Sequence, residues 1–256
     1  MAISYKSNGT MPTTTGAGTG TTTLTVPLPS PVADGDLLIL AVWVKPDTAT
    51  ITTPDGWTAV SNGEAAGGGG TTGTDTGPTR LALYSRTSVP LAGVVMTISG
   101  ENCCMGIICA LSTSIPDGGW SVAGANGIDT TTGTPFTAAM NVDPGITTDD
   151  MVMVFGGIPT DVTTPAQFSS ETLTATGLTS GAVTEVGEPE TTQAQDLGGV
   201  ICRWTPTGGP SSGVATFSAT AGGTTTNVRG PICLVRAREV AAATAVPVAH
   251  RQLRAA

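Results

Sequence analysis

The run "LLILAVWV", residues 37–44, constrains this chain more than any other feature. It has no polar interruption, so it does not alternate as a half-wet strand does. It is far short of the ~20 apolar residues that span a bilayer. A strand of this kind is covered on both faces, or lies centrally in a sandwich. The turn "ADGD" (33–36) precedes it, with glycine supplying the left-handed position and the two aspartates expected to keep that sheet end wet.

A weaker copy, "TTDDMVMVFGG", occupies 147–157. In both copies an acidic turn leads into an apolar strand, and a Thr-Thr-Pro follows, ending at Pro54 and Pro165. The spacing is 114 residues at Asp36 and Asp150 and 111 at the prolines, so one gap separates the copies. Either the chain is a weak internal duplication, or these are equivalent strands of two facing sheets. A single echo does not make a solenoid.

The rest of the chain reads as short strands between Gly, Pro and Thr turns. There are 35 glycines, 18 prolines and 47 threonines in 256 residues, which favours β structure over helix. Hydrophobic content of 39% argues against a disordered chain. About a dozen strands are expected at sandwich spacing. The fold class is therefore all-β, an antiparallel β-sandwich of jelly-roll type over 1–237 with a basic C-terminal arm over 238–256. Only "RAREVAAATAV" (236–246) reads as helix, ended by Pro247. Residues 63–79 and 113–133 read as loops. The opening "MAISYKSNGT" has no apolar run, so no signal peptide is expected.

Net charge is −9, which disfavours a nucleic-acid partner. The arm region opposes this balance: Arg236, Arg238, Arg251 and Arg254 stand against Glu239 alone. A basic arm on an acidic body suits docking on a neighbouring subunit; the plainer reading is a solvated tail. The five cysteines lie in apolar strand-like runs without a CxxC, so they read as buried thiols. Cys103 and Cys109 share one strand face and Cys104 takes the other. A Cys202–Cys233 bridge is the competing reading.

No reactive constellation emerges. The single histidine, His250, lies in the basic tail, and no His/Cys cluster suits zinc. "GGGG" (67–70) lacks the Gly-Lys-Ser/Thr of a phosphate loop. The carboxylate pairs at 34–36 and 149–150 could hold a cation or act as acid and base, but aspartate is a common turn residue there. No catalytic residue, metal or cofactor is expected. Trp120, in "PDGGWS", and secondly Trp57 are the aromatics that could stack on a sugar; Trp43 and Trp204 read as core.

The segments "ISYKS", "GDLLILAVWV", "TPDGWTAV", "LALYSRTS" and "MTISG", followed by the apolar strand through 103–111, together resemble bacteriophage virion proteins of the minor tail or decoration type. "TTDDMVMVFGG" and "GVATFSATAGG…ICLVRA" match the later part of that pattern loosely, so the resemblance covers roughly 1–237. The chain departs from it in 63–79, in the cysteine strand and in 238–256. The resemblance implies a β-sandwich displayed on a phage particle, made in the bacterial host cytoplasm. It implies a non-enzymatic structural protein in capsid or tail, partnered by other virion proteins and by copies of itself. Two further classes stay open: a carbohydrate-binding module that recognises a host-surface glycan, and an enzyme acting on polysaccharide.

Overall fold

The computed structural model describes residues 3–15, 21–69, 77–90, 92–113, 119–131, 135–159, 168–179, 183–191, 197–221 and 229–241. All regular structure among them is β. The first half of the chain holds β1 (Ser4–Asn8), β2 (Thr13–Thr15), β3 (Thr21–Val26), β4 (Leu37–Lys45), β5 (Thr50–Ile51), β6 (Thr58–Gly67), β7 (Thr79–Arg86), β8 (Val94–Ser99) and β9 (Cys103–Ser112). The second half holds β10 (Gly119–Ile128), β11 (Pro135–Ala139), β12 (Asp150–Pro159), β13 (Phe168–Ala175), β14 (Leu178–Thr179) and β15 (Val183–Gly187). It closes with β16 (Glu190–Thr191), β17 (Leu197–Trp204), β18 (Thr207–Gly208), β19 (Ala215–Ala221) and β20 (Pro231–Val240).

The strands exceed the expected dozen because the chain carries two sandwiches in tandem. In the first half a large sheet, β1-β9-β4-β7-β6, faces a small one, β3-β8-β5. In the second half the large sheet is β10-β20-β12-β17-β15 and the small one β11-β19-β13. The two orders are the same. Replacing β1, β3, β4, β5, β6, β7, β8 and β9 by β10, β11, β12, β13, β15, β17, β19 and β20 turns one half into the other. First and last strands of each half pair beside its central strand, which is jelly-roll connectivity. The echo in the sequence is thus both things at once: a duplicated topology, and the central strands of two facing sheets. Of the prolines that mark the copies, Pro165 lies outside the described residues.

Four layers result, small–large–large–small, with three apolar seams. On β4, Leu38, Leu40, Val42 and Val44 face the first small sheet through Leu24, Met96 and Ile98. The alternate residues Leu37, Ile39, Ala41 and Trp43 face the second half, meeting Met151, Met153 and Phe155 of β12. A third seam joins Val152 and Val154 to Phe136, Leu173 and Phe217. The unbroken apolar run therefore exists because both faces of β4 are covered. The cysteines follow the same alternation: Cys103 and Cys109 enter the central seam, and Cys104 the first small-sheet seam.

The acidic turns repeat in atomic detail. Ala33 N donates to Asp36 Oδ2 at 2.7 Å, and Asp36 N to Ala33 O at 3.1 Å. Thr147 N donates to Asp150 Oδ2 at 2.6 Å, and Asp150 N to Thr147 O at 3.2 Å. Each aspartate closes its own turn and starts the central strand. The expectation that the two aspartates of the first turn keep the sheet end wet needs correction, and the second turn behaves alike. Asp34 and Asp149 are exposed, but Asp36 and Asp150 are buried because turn amides and a cation satisfy them.

Three other expectations change. Residues 236–240 are strand, not helix: β20 is held on both sides, by β10 and by β12, and those ladders outweigh local helix propensity. Residues 242–246 of that segment lie outside the described residues. Residues 119–128, expected as loop, form β10 along the free edge of β20. Residues 63–67, expected as the start of a loop, continue β6 along β7.

Candidate functional site

The residues singled out from sequence fall in three places. Arg236 and Arg238 are on β20. The Arg238 guanidinium forks onto Asp150, with Nε to Oδ1 at 2.7 Å and a terminal nitrogen to Oδ2 at 2.8 Å, and also reaches Gly145 O at 2.8 Å. These bonds raise its pKa. Arg236 lies 4.0 Å from the same carboxylate and donates to Ser121 Oγ at 3.2 Å; burial pulls its pKa down. Both arginines are on a paired strand and tied to Asp150, not on a free arm. Arg251 and Arg254 lie outside the described residues.

Trp57 is in the core between the sheets of the first half, only 6% exposed. Trp120 is half-buried on β10, and its indole Nε1 donates to Gly35 O across the boundary between halves at 2.8 Å. The segments that carried the phage resemblance converge beside it. Arg86, from the Tyr-x-Arg element of "LALYSRTS", donates to Asp55 O of the Pro-x-Gly-Trp-Thr element of "TPDGWTAV" at 3.3 Å. Gly56, beside the Arg86 guanidinium, has φ +75°, a backbone conformation that residues with a side chain rarely adopt.

Two grooves flank the central seam. The first, about 420 Å³, has Thr58, Ser85 and Arg86 on one wall and Trp120 and Val122 on the other. The second, about 350 Å³, is lined by Ile3 and Tyr5 of the first half and Thr184, Arg203 and Thr205 of the second. In it the Arg203 guanidinium sits 5.2 Å from the Tyr5 ring centre.

All five cysteines are buried thiols outside any disulfide, so the Cys202–Cys233 bridge does not form. Burial raises the Cys109 thiol to about 12 and also pushes up Cys202 and Cys233. A thiolate is the reactive form, so these thiols are inert near neutral pH. We expect a thiol reagent at pH 8 to label none of them until denaturant is added; stoichiometric labelling of the native chain would contradict this burial. Among the described residues no group of three or more His, Cys, Asp or Glu is placed to hold a metal ion, and no helix is long and apolar enough to cross a membrane.

The chain is thus an all-β protein of two antiparallel sandwiches joined back to back. No family model, curated protein or solved structure matches it. Sequence reading found Trp120 but neither its groove nor its partners, since those come from the turn at Gly35 and from strands far away along the chain. The signal it lacked was the equivalence of the two halves.

Proposed function

We propose that this protein is a structural component of a bacteriophage particle, as capsid decoration or minor tail protein, and that it works by assembly and surface display. One observation carries the reading. The elements behind the resemblance, Gly-Asp-Leu-Leu, Pro-x-Gly-Trp-Thr and Tyr-x-Arg, meet at one corner of the first sandwich, where they fix turns and strand ends. A pattern retained for architecture suits a building block. A slab with three apolar seams is a stiff unit, and stiffness suits a part that holds a position in a lattice.

The test is composition and place. Particles of the encoding phage, purified on a density gradient, should contain the protein in constant stoichiometry, and immunogold label should decorate heads or tails. Loss of the protein during purification, with no label on intact particles, overturns the reading. The arm is tested separately. Since β20 runs to Val240, the informative truncation removes only 242–256, with Arg251 and Arg254. We expect that chain to keep its unfolding midpoint but to lose incorporation; normal incorporation would remove the arm from the assembly role.

A further inference from the structure

The two grooves are equivalent under the correspondence that relates the halves, and this makes their differences informative. Tyr5 stands opposite Leu111 on β9, and Val122 opposite Ala237 on β20. Leu111 in turn faces Leu37, and Ala237 faces Met151, one residue after each turn aspartate. Tyr5 and Val122 therefore hold one position, and Ile3 and Trp120 hold another, two residues earlier on the same strand face. By the same registers Ser85 matches Arg203, and Thr58 matches Thr184. One groove has diverged to Ile3, Tyr5 and Arg203. The other has Trp120, Val122 and Ser85, with hydroxyls along its opposite wall.

From this we infer that the Trp120 groove binds a neutral oligosaccharide. A sugar ring offers an apolar C–H face and a rim of hydroxyls. It is matched by a flat aromatic surface beside side chains that both donate and accept hydrogen bonds. Trp120 supplies the surface. Its ring is already fixed, because its N–H is committed to Gly35 O, so little side-chain freedom is lost on binding. Thr58, Ser61, Ser85, Thr87 and Ser88 supply hydroxyls within the groove. Among the described residues no carboxylate lines it. The one cation among its described lining residues, Arg86, already donates to Ser88 O at 2.6 Å, Ser88 Oγ at 3.0 Å and Asp55 O at 3.3 Å. With a net charge of −9 the chain has no long-range attraction for an acidic glycan, which favours a neutral one. The volume is in the range that takes a small ligand. This inference does not depend on the particle reading, since a glycan site would act equally on a free module.

The experiment titrates the full chain with three neutral hexasaccharides, β-1,4-linked glucose, α-1,4-linked glucose and β-1,4-linked N-acetylglucosamine, and follows tryptophan emission. Trp43, Trp57 and Trp204 are in the core, so a saturable change reports on Trp120. We expect one hexasaccharide to saturate the signal and Trp120→Ile, which installs the residue of the other groove, to weaken binding at least tenfold by calorimetry. Because that change also touches the central seam, a second variant leaves the tryptophan in place: Ser85→Arg copies Arg203 into the groove and should block the ligand equally. Tyr5→Val, in the opposite groove, should leave affinity unchanged. No saturable change with any of the three sugars overturns the inference. So does binding that survives both groove variants, or binding only to a uronic-acid or sulfated hexamer.

Discussion

Trp43→Ala will lower the unfolding free energy by about 4 kcal/mol, near the top of the range for removing a large core ring. Trp43 is fully buried in the central seam, where its ring lies tilted against Phe155 at 6.3 Å between centres. Its indole N–H donates to Gly156 O at 3.0 Å, so truncation also strands a buried carbonyl. The ring fits because of what faces it. Trp43 is seven residues past Asp36, and Gly157 is seven past Asp150, so the two occupy the same position in the two halves. A Cβ added at Gly157 would come 2.5 Å from Trp43 Cδ1. One half supplies the knob and the other leaves the hole, where two tryptophans would collide. Gly157→Ala alone should therefore cost about 2 kcal/mol by overpacking. In the Trp43→Ala background the same methyl should cost almost nothing. The cycle, measured by urea unfolding, should give a coupling of at least ~1 kcal/mol. Simple additivity would mean that ring and glycine are not in contact.

The same pair shows what can be read from a sequence of this kind. The both-sides-covered nature of β4 was legible, because eight consecutive apolar residues admit few other uses. So were the alternation of the cysteines and the echo at Asp36 and Asp150, since each is a local pattern. What escaped depends on neighbours distant in the chain. "GWSVAGANGI" has weak strand propensity and no alternation. It forms β10 because β20 offers it a ladder, and it is rich in small residues because β6 approaches closely: a Cβ at Gly124 would lie 2.6 Å from Ser61 O. "RAREV" reads as helix for the converse reason, with local propensity overridden by two ladders. The duplication was faint because few positions besides the turn aspartates keep both identity and role, while Trp43 and Gly157 have diverged into opposites. The arginines looked like an arm because Asp150, which holds them, is 86 and 88 positions away in the sequence.

Asp150→Asn will cost about 3 kcal/mol, whereas Asp36→Asn, at the equivalent turn, will cost about 1 kcal/mol. Both aspartates close the same turn, and an asparagine oxygen can still accept the turn amide, so the shared part of the loss is small. The difference lies in the cations. Asp36 meets Lys6 Nζ at 2.7 Å, and the lysine side chain is 24% exposed and can turn to water. Asp150 is wholly buried and serves two arginines at once, of which Arg236 is only 9% exposed and has no second carboxylate within ion-pair distance among the described residues. Removing the negative charge leaves two guanidinium groups two residues apart on β20, opposite positions 150 and 152 of β12, with Asp149 acting on Arg238 alone. If that uncompensated charge is the cause, Arg236→Met should recover at least half of the loss in the Asp150→Asn background, because a buried pair is replaced more cheaply than it is broken. Urea midpoints of the three variants decide the matter. Equal losses at Asp36 and Asp150, or no recovery from the methionine, would place the cost in the turn and not in the charge. The turn is common to both halves. The pairing of one buried carboxylate with two arginines belongs to the second alone, and it ties the last strand of the chain to the central strand of its sheet.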